Sequence, residues 1–325
     1  MHQAEYYHLE SSRLVCDLCP HGCKLREGQA GVCRVRRRQG NRLEVDNYAQ
    51  VASLALDPIE KKPLYHFRPG SLILSAGANG CNLKCAFCQN AEISQGSVPT
   101  RHLPVEALVE AAGTRGSIGV AFTYSEPLMW YEYILEAAAE LKRRDYAVVL
   151  VTNGYLSEAP FRRLLPLVDA LNVDLKSPSR DFYRKLCKAD LEPVQRNIRL
   201  AHEAGVHVEI AHLVVTGWND NDESIQRTAA WIASVSDEIP LHLSRYFPHY
   251  RYAEPPTSEA FLFHALDLAR RELKFAYLGN IAGGGSDTLC PDCGAIVIER
   301  RAYRTRVLNL RDGACARCGR SLPVR

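Results

Sequence analysis

The sequence predicts an α/β protein: an incomplete parallel (β/α)6 barrel between a small cysteine-rich N-terminal segment and a zinc-ribbon-like C-terminal segment. Three observations predict it. Between about residues 70 and 280, short apolar runs alternate with amphipathic helical stretches, as in a parallel sheet covered by helices. There are six such units, fewer than the eight of a closed barrel. The twelve cysteines of the 325-residue chain fall into groups of four, three, one and four, and the two groups of four lie outside the alternating region.

Composition bounds the rest. Apolar residues make up 46% and charged residues 24%, which excludes disordered and collagen-like chains. No apolar run approaches the roughly 20 residues of a membrane span. Met1-His2-Gln3-Ala4-Glu5 lacks a basic-then-apolar leader, so the expectation is a cytoplasmic protein without a membrane partner. In a reducing compartment, clustered cysteines are read as metal ligands before disulfides. With 40 Lys+Arg against 37 Asp+Glu, the chain as a whole is not built to bind polyanions.

Residues 1–70 read as a metal-binding head and connector. Cys16, Cys19, Cys23 and Cys33 are separated by two, three and nine residues. Four such thiolates suit either zinc or an auxiliary 4Fe–4S cluster. Prolines at 58, 63 and 69 keep the connector from becoming helical.

Residues 71–281 form the barrel. Its strands are expected at Ser71–Ala76, Ile118–Thr123, Ala147–Thr152, Ala170–Leu175, Val206–Leu213 and Leu241–Tyr246, several of them rich enough in Val, Ile and Leu to be buried on both faces. Trp130, Tyr133, Ile134, Ala137, Ala138 and Leu141 trace one face of a helix. Similar helices fit 104–113, 157–166, 192–204, 222–234 and 257–272.

Residues 282–325 follow a glycine-rich joint at 282–286 and carry Cys290, Cys293, Cys315 and Cys318. Two Cys-x-x-Cys-Gly pairs with 21 residues between them suit a four-sulfur zinc ribbon. Its two strands are expected at 295–301 and 303–309.

The strongest chemical signal is Cys81, Cys85 and Cys88, just after the first strand of the alternating region, where parallel α/β folds place active sites. Three thiolates leave a metal centre one protein ligand short, which suits a 4Fe–4S cluster with one open iron. Cys187 lies 99 residues beyond Cys88 and reads as a buried or incidental thiol.

This Cys-x-x-x-Cys-x-x-Cys, with Phe87 before the last cysteine, resembles the radical S-adenosylmethionine (SAM) enzymes. The Asp57–Gly70 segment, the two flanking cysteine groups and the trio together resemble the radical SAM member of the AmmeMemoRadiSam system, a relative of pyruvate formate-lyase activating enzyme. The resemblance implies a 4Fe–4S cluster on the trio, SAM on its open iron, and a flavodoxin- or ferredoxin-like reductant. It also implies association with Memo-like and AMMECR1-like proteins, and names no substrate.

By the same resemblance, Glu126 of Thr-Tyr-Ser-Glu-Pro would hold the SAM amino group. Asn153 of Thr-Asn-Gly would be a further contact. In Asp174-Leu175-Lys176 the lysine would meet the SAM carboxylate and the aspartate would serve a cation site. Val151 stands where that group often has an acid, so a bound monovalent cation is not implied. Phe87 is either an adenine-stacking ring or a core aromatic. His242 and Arg245 end the sixth strand, within reach of ribose, adenine or substrate; for His242 a satisfied core histidine is the other reading.

Two alternatives stand beside the radical enzyme of unknown substrate. One is a glycyl-radical enzyme activase, acting on a backbone glycine of a large partner. The other is a zinc-ribbon nucleic-acid-binding protein. It rests on Arg34, Arg36, Arg37, Arg38 and Arg42 and on the eight arginines of residues 299–325. A solvated basic face or a dock for an acidic protein explains the same arginines.

Overall fold

The computed structural model describes residues 2–113, 116–281, 284–301 and 304–325. Its centre is an eight-stranded sheet whose spatial order follows the chain. Strand β1 (Ser53–Pro58) runs antiparallel to β2 (Leu72–Gly77). Then β3 (Gly119–Phe122), β4 (Ala147–Thr152), β5 (Ala170–Asp174), β6 (His207–Val214), β7 (Leu241–Arg245) and β8 (Ala276–Gly279) add in parallel. The six expected runs are β2 to β7. The structure adds β8 at one edge, and draws β1 out of the expected connector onto the other. β1 (SLALDP) ends in Asp-Pro and β8 (AYLG) is interrupted by tyrosine and glycine, so neither carries a continuous aliphatic run like that of β4.

Six helices connect or cover these strands: α1 (Val105–Gly113), α2 (Tyr131–Arg143), α3 (Glu158–Leu164), α4 (Glu192–Glu203), α5 (Asp222–Ala233) and α6 (Glu259–Ala269). Two of their starts carry side-chain caps. Asn221 accepts from Ser224 N at 3.0 Å, and Ser258 accepts from Phe261 N at 3.5 Å. The apolar face of α2 is buried as its spacing requires, through Ile134, Ala137, Ala138 and Leu141.

The two sheet faces have different partners, because alternate residues point to opposite sides. One set, including Leu74, Val120, Val148, Leu150 and Leu171, packs in the main core with the helices. The other set includes Ile73, Ala121, Ala147, Val149 and Ala170. It packs against Ile59, Leu64 and Phe67, so the connector fills the inner side of the sheet. Gly119 permits this close strand approach: a Cβ there would stand 2.0 Å from Ala147 O.

A buried polar network lies beside this plug. Glu209 is fully buried and accepts from Tyr65 N (3.0 Å), His66 N (2.7 Å), His207 Nε2 (2.9 Å) and His242 Nε2 (2.7 Å). Against the cost of burial, the two imidazoles hold its carboxyl well below the usual range. His242 is therefore a core histidine.

The head is a pair of small antiparallel sheets, and it shares the main core: Leu14, Leu18, Leu25 and Leu43 belong to the same apolar cluster as Leu74 and Leu150. A buried ion pair ties it to α2. Arg36, 1% exposed, donates to both oxygens of Glu132 at 2.9 Å and to Glu5 O at 2.5 Å.

The tail packs a second core, in which Val297, Ile298, Cys290 and Cys315 meet Phe275 and Tyr277. Arg300 is buried and donates to Tyr65 O (2.5 Å), Ser286 O (3.0 Å) and Thr288 Oγ1 (2.8 Å). The ribbon strands are Ile296–Arg301 and Arg304–Val307, with Thr288–Leu289 beside the first. The expected start of the second strand at residue 303, and residues 282–283 of the glycine-rich joint, lie outside the described residues. No described helix is long and apolar enough to cross a membrane.

Candidate active site and metal centres

The C-terminal ends of the parallel strands border one cavity of about 490 Å³, a size suited to a small ligand. Its floor is the loop after β2. There Cys81, Cys85 and Cys88 stand with Phe87, Gln89 and Asn90. Gly80 sets the loop's approach to the head. Its φ is 110°, and a Cβ there would meet Val35 Cγ1 at 2.7 Å and Cys33 O at 3.1 Å.

The loops after β3 and β4 lock together around a carboxylate. Glu126 is fully buried and caps the turn Pro127–Trp130 by accepting from Leu128 N at 3.0 Å. It also accepts from Thr152 Oγ1 at 2.6 Å and Asn153 N at 2.8 Å. Burial pushes its carboxyl up to about 7, and these donors oppose the rise. Asn153 is fixed in turn: its Nδ2 donates to Asn82 Oδ1 (2.9 Å) and points at Cys81 Sγ (3.7 Å). Across the cavity, Lys176 Nζ lies 2.9 Å from Asp174 Oδ2. Burial works against its charge, but Asp174 and the nearby thiols of Cys85 and Cys187 hold it well above the ordinary lysine value.

The donor set fits a three-cysteine cluster with an amino-acid ligand. Thiols from one loop form the floor, a carboxylate is ready for an ammonium, and an ammonium is ready for a carboxylate. Asn172 also borders the cavity, and its buried Oδ1 has no hydrogen-bond partner among the described residues.

Cys81, Cys85, Cys88, Phe87, Glu126, Asn153, Asp174 and Lys176 are thus brought to one cavity. Phe87 also packs on Phe182, with ring centroids 5.7 Å apart. Arg245 does not join them. It donates to Thr257 O at 2.8 Å and pairs with Glu259 at 2.5 Å, outside the lining.

Several site residues escaped the reading of the sequence. Lys61, Lys62 and Pro63 border the cavity from the connector. Lys62 is buried, bound to Asp57 at 2.7 Å and set over the Tyr124 ring at 4.9 Å, and Tyr124 Oη donates to the same aspartate at 2.8 Å. The Asp57-to-Lys62 spacing within one short segment was the available signal. Cys187, expected as a buried or incidental thiol, is buried, and its place beside the trio was not foreseen from the sequence. The turn Tyr183–Cys187 docks on the trio loop: Lys84 N donates to Cys187 O at 2.8 Å, Ala86 N donates to Leu186 O at 3.0 Å, and the Cys187 thiol meets that of Cys85.

The flanking cysteine groups differ. In the tail, Cys290 Sγ lies 3.5 Å from Cys318 Sγ, and Cys293 Sγ lies 3.7 Å from Cys315 Sγ, with all four sulfurs within 4.8 Å of one another. In the head, Cys16 and Cys23 are opposed across an antiparallel pair, and Cys19 and Cys33 stand in adjoining turns. Burial first, and the neighbouring thiols less, push Cys19 up to about 12 and Cys33 up to about 11.

Many arginines of the basic segments have partners within the chain. Arg34 donates to Ser94 O and Gly96 O, Arg37 to Gly28 O and Asp46, and Arg38 to Ser12 O, Leu25 O and Gly40 O. In the tail, Arg301 and Arg306 pair with Glu299, and Arg320 pairs with Glu238 and Asp292.

Comparison with known proteins follows this geometry. Residues 77–232 match the Radical SAM superfamily. An uncharacterized Methanocaldococcus jannaschii protein, MJ0808, is 37% identical over 334 residues, covering 100% of this chain and 99% of its own. A Clostridium pasteurianum pyruvate formate-lyase-activating enzyme is 22% identical over 173 residues, 51% of this chain and 72% of that one. Among solved structures, a radical SAM methyltransferase from Sphaerobacter thermophilus shares the fold with a TM-score of 0.52 at 18% identity, over 74% of this chain and 72% of that one.

Proposed function

Because the chain belongs to the radical SAM superfamily of enzymes, we propose that Cys81, Cys85 and Cys88 hold a 4Fe–4S cluster and that Glu126 and Lys176 orient SAM on its open iron. The observation that carries this reading is the placement of the three thiols between a fixed carboxylate and a fixed ammonium at one cavity. When bound and reduced by one electron, the pair supplies a 5′-deoxyadenosyl radical and methionine, and the radical takes hydrogen from a substrate.

The chain's own part is positioning and exclusion. Glu126, held by three donors, keeps its oxygens in place to receive an ammonium. Lys176, steered by Asp174, offers a point charge to the carboxylate end. Asn153 aims an amide at the Cys81 sulfur, the kind of hydrogen bond that tunes a ligated thiolate. The connector contributes Lys61, Lys62 and Pro63 to the cavity wall, which limits its exposure to solvent on that side.

The motif conjunction supports the AmmeMemoRadiSam assignment, with Memo-like and AMMECR1-like proteins as partners, a flavodoxin- or ferredoxin-like reductant and a cytoplasmic setting. The likeness to pyruvate formate-lyase-activating enzymes supports glycyl-radical activation as the second reading, since it covers about half of the chain. For the tail, the close sulfur quartet supports zinc.

The test is anaerobic reconstitution with iron and sulfide, followed by SAM cleavage under strong reductant. 5′-Deoxyadenosine should form in the wild type and vanish in Cys81→Ala/Cys85→Ala/Cys88→Ala. Equal product from both proteins, or none from a fully reconstituted wild type, would overturn the reading.

A further inference from the structure

Three cysteine groups occur in one chain, and their sulfur spacings divide them. Thiolates on one tetrahedral zinc, each about 2.3 Å from the metal, sit roughly 3.8 Å apart. The tail has this spacing, with contacts of 3.5 and 3.7 Å. Among the described residues, the tail is the one group in which three or more candidate ligand atoms all lie within 4.8 Å of one another. The trio does not reach that closeness, as expected of thiolates that hang from separate iron corners of a cubane. The head quartet does not reach it either, although its four cysteines share one small, buried fold. Cys16 opposes Cys23, the turn Gly22–Cys19 is hydrogen-bonded, and Gly31 leaves only 3.3 Å between its Cβ position and Cys23 Sγ. The head quartet thus has the ligand number of the tail without its close sulfur packing.

Its position gives it a use. His21, inside the Cys19–Cys23 loop, donates Nε2–H to Asn82 O at 2.7 Å, one residue from Cys81. Its ring also meets that of Tyr155, with centroids 5.2 Å apart. The carbonyl of Cys33 abuts Gly80, the residue before Cys81. A single layer of residues therefore separates the two cysteine groups.

We infer that Cys16, Cys19, Cys23 and Cys33 bind a second 4Fe–4S cluster, which relays electrons to the cluster on Cys81, Cys85 and Cys88. The relay rests on the radical SAM reading; the metal assignment does not. One electron from a low-potential flavodoxin- or ferredoxin-like carrier enters at the head and oxidises that carrier. It passes through the His21–Asn82 contact to the trio cluster, and is consumed in breaking one carbon–sulfur bond of the SAM sulfonium, with methionine leaving. The head cluster returns to its oxidised state, so the balance closes at one electron per SAM.

The experiment uses full-length Cys81→Ala/Cys85→Ala/Cys88→Ala, which keeps the head intact, beside the wild type. Both are reconstituted anaerobically and assayed for iron, sulfide and zinc. The expected result is about eight irons in the wild type and about four in the variant, with one zinc in each. Two zincs and no iron in the variant, or one zinc and no iron, would overturn the second cluster. The wild-type count reads the same question if the variant fails to fold: about eight irons supports the cluster, and about four with two zincs overturns it. About four irons in both proteins would instead remove the trio cluster and leave the head assignment standing. Paramagnetic resonance of the fully reduced wild type tests the relay: mutually broadened signals support it, and two independent signals overturn it.

Discussion

Two four-cysteine groups flank the central sheet, at opposite ends of its strands. The head sits at the C-terminal ends, where Leu18 O accepts from Ser157 N just beyond β4 and His21 meets the trio loop. The tail sits at the N-terminal ends. Arg325 donates to Gly205 O before β6, and Arg320 pairs with Glu238 before β7. The head shares the main apolar core, whereas the tail has a small core of its own. The same number of cysteines thus sits in two settings. At the cavity end they are buried in the main core beside the trio loop. At the far end they belong to a small antiparallel unit whose Arg300 donates to the connector at Tyr65 O.

The comparison can be broken most severely at the head. Glu132→Ala would strand Arg36 in the core, and removing one partner of such a pair costs about 3–5 kcal/mol. Because head and central sheet share a core, denaturant unfolding should remain one transition moved to lower concentration. A separate early transition for the head would show that the two are independent units.

A milder break lies in the tail. Arg300→Ala would leave the Tyr65 and Ser286 carbonyls without their donor, at about 1–3 kcal/mol. Proteolysis within residues 284–325 should accelerate, while 5′-deoxyadenosine formation by the remaining folded enzyme stays near the wild-type rate. Loss of cleavage in folded protein would tie the tail to the chemistry.

A third test sharpens the contrast by pH. Burial lowers His66, at the tail end, to about 3 and His212, at the cavity end, to about 4. His212 Nδ1–H donates to Leu175 O at 2.8 Å, and its Nε2 faces Asn219 Nδ2 at 3.4 Å, which fixes the neutral ring. The unfolded chain takes up these protons near pH 6.5 and the folded one does not. Stability is therefore full above about pH 6.5 and falls as pH drops toward 4, by about 1.4 kcal/mol per pH unit for each histidine. His212→Asn should remove about half of that slope. An unchanged slope would assign the acid sensitivity to other groups.

What the sequence made legible was local. The trio, the strand–helix alternation and the paired Cys-x-x-Cys motifs each lie within a few residues, and each survives in three dimensions. What it hid was mostly register and long-range contact. Nothing local says that Cys187 turns back onto Cys85 or that Lys62 is set over the distant Tyr124 ring. The basic run from Arg34 to Arg38 shows the reverse limit: as a string it looks like a binding face, but folding points its guanidinium groups at carbonyls and at Glu132. Arg245 ends a strand at the right level, yet Glu259 and Thr257 draw it aside.

The match between strand order and chain order has a consequence for synthesis. As the chain leaves the ribosome, the head and β1–β2 hairpin come first, and every later strand finds a finished neighbour at the growing edge. No strand must wait for a distant partner, so the unpaired edge is always a single strand wide. An exposed edge invites pairing with other chains. Here the last one to emerge, β8, is met at once by the following segment, where Leu278 N donates to Gly285 O at 2.9 Å. The tail is thus made at the moment the sheet needs a terminator.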